Sequence, residues 1–314
     1  MILILSTDSD PHAQAVLQHL AGLGAAAHLL NLAEFPQKLA LSLSYREGRR
    51  DFALHSPAGR LPLAEVKAVW WRRPQPFQLH PEITKESYRH FAYNEGHEAF
   101  AGLWQSLEVF WINHPTRDEV AARKVYQLQI ALEVGLNIPR TLVSNDRQEV
   151  QSFINAVGEG QVIYKSFSAT EHEWRETRLL KQAELALLDG VRYAPVIFQE
   201  YIPAQVDLRI TVVGGEMFPA AIYSQQTSYA VDFRMDWANA RAEPHVMPDA
   251  VAAKLRALME RLGLVYGAID MRLTPQGEYV FLEINPAGQW LFIEQRTGQP
   301  ITAALAARLA ASEH

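Results

Sequence analysis

From residue 1 to about residue 112, short apolar runs alternate with longer stretches of mixed pattern, as in strands interleaved with helices. Ile2–Leu5 is a wholly apolar tetrad and reads as a buried strand. Ser9-Asp10-Pro11 opens a helix to about Gly24, with proline near the first helical position, where its missing N–H costs nothing. Residues 28–32 read as a second strand, 52–63 as a hairpin about Pro57-Ala58-Gly59, and 66–71 as a buried strand stopped by Arg72-Arg73-Pro74. A long helix is expected over 81–106 and a strand over 109–112.

Farther on, one helix is expected over 116–134, with Gly135 as its stop. Strands over 140–144 and 161–165 flank a helix at 147–157. A strand at 196–201 opens the last part. A hairpin follows, 207–213 turning at Gly214-Gly215 into 218–224. Residues 250–262 put Val251, Leu255, Leu258, Met259 and Leu262 on one helical face, with Gly263 as the stop. A final hairpin joins 264–273 to 279–285, and a helix follows Pro300. The chain thus divides into units 1–115, 116–195 and 196–314, without repeats or a long linker.

Composition narrows the chemistry. The chain has 314 residues, 48% hydrophobic and 20% charged, enough for two or three soluble domains at roughly 100–200 residues each. It has no cysteine, which excludes disulfides, zinc-thiolate sites, iron–sulfur clusters and a cysteine nucleophile. No apolar run approaches the ~20 residues that cross a bilayer, and the start has no basic segment or cleavage site, so a cytoplasmic protein is expected. The net charge of −6 is spread along the chain, with no basic run suited to nucleic acid. Neither G-x-x-x-x-G-K-[ST] nor G-x-G-x-x-G occurs, so bound phosphates would rest on side chains such as lysine. The eleven histidines form no H-E-x-x-H set and read as non-catalytic.

The last hairpin carries the main candidate site. With Gln276-Gly277 as the two central turn residues, Asp270 lies opposite Glu283, and Asn285 shares the face of Glu283. Directly opposed side chains have Cβ atoms about 5 Å apart. Two such acids in apolar surroundings repel and lose solvation, which a divalent cation would relieve. Three oxygen donors suit Mg²⁺ or Mn²⁺, whose remaining ligands are typically water and substrate phosphates. The alternatives are a protonated acid pair or acids bonded to nearby Arg272.

On these residues the chain resembles the ATP-grasp ligases. That resemblance implies an ATP-grasp fold: an N-terminal α/β pre-ATP-grasp domain, a central lysine-bearing domain and a C-terminal metal-binding domain. It covers about residues 110–310. It implies that ATP binds between the latter two units, with Mg²⁺ on Asp270, Glu283 and Asn285. Lys124, expected in the helix at 116–134, and Lys165, ending Val162-Ile163-Tyr164-Lys165, match the family's phosphate lysines. The stretch 196–202 matches its adenine hinge at Glu200, Tyr201 and Ile202, and Asp207 its ribose-binding acid. Asp207 and Arg209 share a strand face and read equally as a structural ion pair. In the active reading Arg209 or Arg272 steadies the γ-phosphate or an acyl phosphate, beside Lys165. The loop after Lys165 departs from the family in lacking glycine. Ser166, Ser168 or a charged residue would substitute.

More narrowly, Val69-Trp70-Trp71-Arg72-Arg73-Pro74, Ile112-Asn113-His114-Pro115, residues 207–214, Ser224-Gln225 with 231–234, residues 263–270 and 281–290 are similar to graspetide-forming ligases of the microviridin type. The resemblance then implies joining of Asp or Glu side chains of a ribosomal precursor peptide to Ser or Thr hydroxyls, or to Lys amines. A homodimer is implied in the same way. Glu171, Glu173 and Asp236 would grip a leader segment, and Asp232 and Arg234 would line the acceptor pocket. Each also reads as a solvated loop charge. Arg72 and Arg73 read either as carboxylate binders or as solvated charges ending a strand. The alternatives in function are a ligase adding free amino acids to a small molecule or protein tail, a non-catalytic nucleotide binder, and a dinucleotide or nucleotide-sugar enzyme.

Overall fold

A computed structural model describes residues 1–167, 177–226 and 240–312. β1 (Ile2–Leu5) is buried along its whole length, as its apolar tetrad requires. Asp10 starts α1 (Pro11–Gly22) by accepting the His12 N–H at 3.0 Å, and the chain returns in β2 (Ala27–Leu30). It then leaves for a three-stranded antiparallel meander, β3 (Ala40–Arg46), β4 (Arg49–Ser56) and β5 (Gly59–Pro62). β3 was not expected, although Leu41-Ser42-Leu43-Ser44 alternates at the strand period. β6 (Ala68–Trp71), α2 (Glu86–Ser106) and β7 (Phe110–Ile112) complete a parallel sheet of order β2-β1-β6-β7. α2 begins five residues later than expected, because His80 to Ile83 fold into a turn, with the Ile83 N–H on the His80 carbonyl.

Two helices replace the single one expected over 116–134: α3 (Pro115–Ala121) and α4 (Lys124–Glu133). No glycine or proline marks the break. It is stabilised from the first turn of α4 by Gln127, whose amide donates to the Ala121 carbonyl at 2.6 Å. β8 (Thr141–Ser144), α5 (Arg147–Val157), β9 (Val162–Lys165), β10 (Arg178–Leu179) and β11 (Val196–Glu200) form an antiparallel sheet of order β10-β9-β11-β8.

The last part is an antiparallel sheet of order β14-β13-β12-β15-β16. It is built from β12 (Val206–Val213), β13 (Glu216–Ile222), β14 (Ala242–Pro244), β15 (Tyr266–Leu273) and β16 (Tyr279–Asn285). Between β14 and β15, α6 (Asp249–Leu262) sets Leu255, Leu258, Met259 and Leu262 against Ile210, Ile269 and Phe281. Gly263 ends it in the left-handed conformation. α7 (Leu291–Thr297), not expected, and α8 (Ile301–Ala310) follow. Leu305, Ala306 and Leu309 of α8 share one core with Val16 and Leu20 of α1 and with Trp70. The N-terminal sheet is thereby fused to the C-terminal one, so its residues can support a site in the last hairpin.

Candidate active site

The turn of the last hairpin has three central residues rather than two. Leu273 pairs with Tyr279, Arg272 with Val280 and Met271 with Phe281. The Gly277 N–H, at φ +84°, closes the turn on the Thr274 carbonyl at 2.9 Å. Leu282 is then a bulged residue. Beyond it Asp270 pairs with Glu283, Ile269 with Ile284 and Ala268 with Asn285. The turn length changes the register by one residue and the bulge changes it back. Asp270 therefore faces Glu283 as the two-residue turn also required.

Each acid carries a cationic partner. Lys124 Nζ donates to Glu283 Oε2 at 2.5 Å, both side chains being about three-quarters buried. Arg209 Nη1 donates to both oxygens of Asp270, at 2.8 and 2.9 Å, while Nη2 donates to the Gln289 carbonyl at 3.0 Å. Asn285 Oδ1 accepts the Ala287 N–H at 2.9 Å. Lys124, Lys165, Val143, Gln199, Leu282 and Glu283 line one narrow pocket between the β8–β11 sheet and β16. Two lysines and a carboxylate from three distant segments thus meet there. Among the described residues no group of three or more His, Asp or Glu side chains is gathered to hold a metal. The available set is two carboxylates and an amide oxygen.

A residue absent from the sequence reading fixes this arrangement. Gln127, 3% exposed, donates to the Ile284 carbonyl at 2.8 Å and accepts the Ile284 N–H at 3.1 Å. It lies one turn after Lys124 and clips α4 to the residue between Glu283 and Asn285. An isolated glutamine in a helix gives no local signal of that role.

The structure corrects one expectation. Asp207 and Arg209 do not pair with each other, because the β12–β15 register sets Arg272 opposite Asp207 and Asp270 opposite Arg209. Asp207, 4% exposed, accepts from Arg272 Nε at 2.9 Å and from the Ser224 hydroxyl. Arg272, 5% exposed, also donates to the Ile202 carbonyl at 2.6 Å and lies 5.1 Å from the Tyr201 ring, so it ties β15 to the hinge. At the hinge itself the Glu200 N–H goes to the Arg140 carbonyl at 2.9 Å and the Tyr201 N–H to the Gln161 carbonyl at 2.7 Å. The Glu200 carboxylate pairs with Arg140 at 3.0 Å.

Arg72 is not a solvated strand end. Only 1% exposed, it donates to Asp10 Oδ2 at 3.0 Å and to the Ala287 and Gly288 carbonyls at 2.7 and 3.2 Å. Its guanidinium lies 5.3 Å from the Trp290 ring. His12 Nε2 accepts the Trp290 N–H at 3.2 Å, which requires the neutral ring, and burial lowers its pKa in the same direction. The N-terminal unit therefore grips residues 287–290, the loop leaving Asn285. Arg73 remains exposed. Ser168, Glu171, Glu173, Asp232, Arg234 and Asp236 lie outside the described residues.

Residues 1–119 match the MvdD pre-ATP grasp domain, and residues 121–309 match the RimK-like ATP-grasp domain. The crystal structure of macrocyclase MdnC from Microcystis aeruginosa, bound with precursor peptide MdnA, is 31% identical with a TM-score of 0.88, covering 98% of both chains. A RiPP-associated ATP-grasp ligase from Chryseobacterium gregarium, in complex with ADP and a leader and core peptide, is 28% identical with a TM-score of 0.89. That match covers 100% of this chain and 97% of the other. A probable alpha-L-glutamate ligase from Shewanella baltica is 26% identical over 185 residues, spanning 57% of this chain and 60% of that relative.

Proposed function

The chain belongs to the RimK-like ATP-grasp family, and from that premise we propose that it is an ATP-dependent ligase acting on side-chain carboxylates of a precursor peptide. The observation that carries the proposal is the convergence of Lys124, Lys165 and Glu283 on one pocket, with Asp270 paired to Glu283 across the hairpin. The relatives crystallised with peptides support the substrate class.

Asp270, Glu283 and Asn285 fit a hard divalent cation, because all three donors are oxygens and their number leaves room for phosphate and water. Bound there, Mg²⁺ or Mn²⁺ would neutralise phosphate charge. Lys124 and Lys165 would hold the phosphates. An adenine at the hinge would meet the Glu200 carbonyl and the Ile202 N–H, since the Glu200 and Tyr201 N–H groups are engaged in sheet pairing. Arg209, fixed on Asp270, directs its charge toward the same region.

The substrate carboxylate would attack the γ-phosphorus, forming an acyl–O–P bond as the bond to ADP breaks. A Ser or Thr hydroxyl, or a Lys amine, then attacks the acyl carbon, gives up its proton, and inorganic phosphate leaves. No protein nucleophile is required. The residues act by positioning and by charge neutralisation.

Incubation with ATP, Mg²⁺ and candidate precursor peptides, read by mass spectrometry, should show losses of water, one per bond formed. Glu283→Ala should abolish them. A water loss without ATP, or from the Glu283→Ala enzyme, would refute the proposal. The second reading is a ligase that adds free amino acids, supported by the match to glutamate ligases. Its signature is a mass gain on an acceptor.

A further inference from the structure

A second cavity, of about 530 Å³, lies between α2, α3 and the loop 74–77 of the N-terminal unit. None of the residues that line it is shared with the pocket around Lys124 and Glu283. Its wall is a continuous series of rings. Tyr93 packs on Phe77 with centroids 5.6 Å apart, Phe77 on Phe100 at 5.2 Å, Phe100 on Trp104 at 5.5 Å and Trp104 on Trp71 at 5.9 Å. Each ring is held by the next, so the concavity does not depend on mobile side chains. Gly96 of α2 keeps the wall close, since a Cβ there would stand 2.9 Å from Phe35 and 3.3 Å from Phe77.

The charged groups lining this cavity are both acidic, Asp118 and Glu119 of α3, and no lysine or arginine lines it. Asp118 Oδ2 is buried and has no hydrogen-bond partner among the described residues. An orphaned carboxylate oxygen is costly, and costlier still in aromatic surroundings. Glu119 is paired with Arg123 at 2.5 Å on the exposed side, so Asp118 is the acid left to act inside. Burial raises the Asp118 carboxyl to about 7. The groups around it are Asn113, whose amide favours the ionised form, and His114, Arg117 and Glu119 on its own segment. His97 and Gln105 face it from α2 across the cavity, Gln105 being bonded to Thr116.

A lining of aromatic rings combined with a buried acid suits a cation that carries an apolar stem. Aromatic rings attract ammonium and guanidinium groups, and a desolvated carboxylate adds a charge-assisted hydrogen bond. We propose that this cavity is a binding site for an arginine or lysine side chain borne on a peptide. The choice of a peptide as bearer rests on the proposed substrate class. The cation itself rests on the lining alone. The site sits at the start of the connection to the catalytic region, since α3 runs directly into α4, whose first residue is Lys124.

The test is calorimetric titration of the full-length protein at pH 8 with acetyl-Gly-Gly-Arg-Gly-Gly-amide and with its norleucine counterpart. The arginine peptide should bind at least tenfold more tightly. Asp118→Asn, which keeps the shape and removes the charge, should abolish most of that difference. Trp104→Leu, with folding verified by circular dichroism, should weaken the binding of both peptides. Equal binding of the two peptides, or an arginine preference untouched by Asp118→Asn, overturns the proposal. Binding of acetyl-arginine-amide as tight as that of the pentapeptide overturns the peptide assignment and identifies a small-molecule cation site. The titration needs neither ATP nor ligation, so its failure leaves the ligase reading standing, and failure of ligation leaves the site standing.

Discussion

Gly288 gives the sharpest test of the loop that leaves the candidate metal site. A Cβ there would lie 2.4 Å from the Ala268 Cβ, 2.8 Å from Arg209 Nη2 and 3.3 Å from the Asn285 carbonyl oxygen. Optimal carbon–carbon contact is ~3.5–4.0 Å, so more than 1 Å of overlap must be relieved. Ala268 cannot swing aside, because it is a fully buried strand residue paired with Asn285. The loop must therefore move, weakening the bonds that the Gly288 carbonyl accepts from Arg72 and from the Tyr266 hydroxyl. Overpacking costs ~1–3 kcal/mol, and hydrogen bonds contribute about 1 kcal/mol each, more with a charged donor, so Gly288→Ala should destabilise by about 3–5 kcal/mol. The assay is urea unfolding combined with a magnesium titration of ADP release. The required magnesium concentration should rise as Asn285 and Arg209 are displaced. Ala268→Gly deletes the methyl at 2.4 Å, so the double variant should recover at least half of the lost stability. A single variant within 0.5 kcal/mol of wild type, or a double variant no better than the sum of its parts, would refute this reasoning.

Four further outcomes are expected. Gln127→Ala should raise the apparent KM for ATP at least tenfold while leaving a folded protein, since Lys124 and Glu283 lose the clip that aligns them; steady-state kinetics checks this. Arg272→Met should destabilise by about 3–5 kcal/mol by stranding the Asp207 charge, whereas Arg272→Met with Asp207→Leu should cost less than Arg272→Met alone, as denaturant midpoints would show. Asp118 is raised from its usual carboxylate value to about 7, so its contribution is fully present below pH 3.8 and is lost as the pH rises through 7. Asp118→Asn should therefore gain on wild type between pH 5 and pH 8 in paired unfolding curves, with a ceiling of about 3 kcal/mol over that range. Lys165→Met should reduce ADP release more than a hundredfold, and a loss below threefold would remove Lys165 from the phosphate site.

Patterned elements were legible. The buried tetrad of β1, the one-sided helix α6 and the hairpin strand Tyr279–Asn285 follow from apolar periodicity and from stop signals such as Gly263. What escaped was set by contacts distant in sequence. Nothing near Ala122 announces a helix break held by Gln127, whose amide takes the Ala121 carbonyl while it is itself anchored on distant Ile284. Nothing near Arg72 shows that a strand-end arginine will be buried against carbonyls more than 200 residues away. The hairpin shows two opposing errors. A turn with Gly277 at its third central position shortens the pairing sum by one, and the bulge at Leu282 restores it, so Asp270 and Glu283 meet for a reason the turn alone does not contain. The pairing of Asp207 with Arg272 was hidden because same-face neighbours on β12 suggested Arg209, while the opposing strand supplied the actual partner.

The Gln127 clip also settles what can happen along the outer side of β16. That strand is the margin of its sheet, and a bare margin invites any extended chain to add itself as another strand. Gln127 occupies both outward groups of Ile284, and the Asn137 carbonyl takes the Phe281 N–H at 2.8 Å. A helix and a loop thus stand where a sixth strand would form. An extended chain approaching that margin finds the outward groups of Ile284 and the Phe281 N–H already taken.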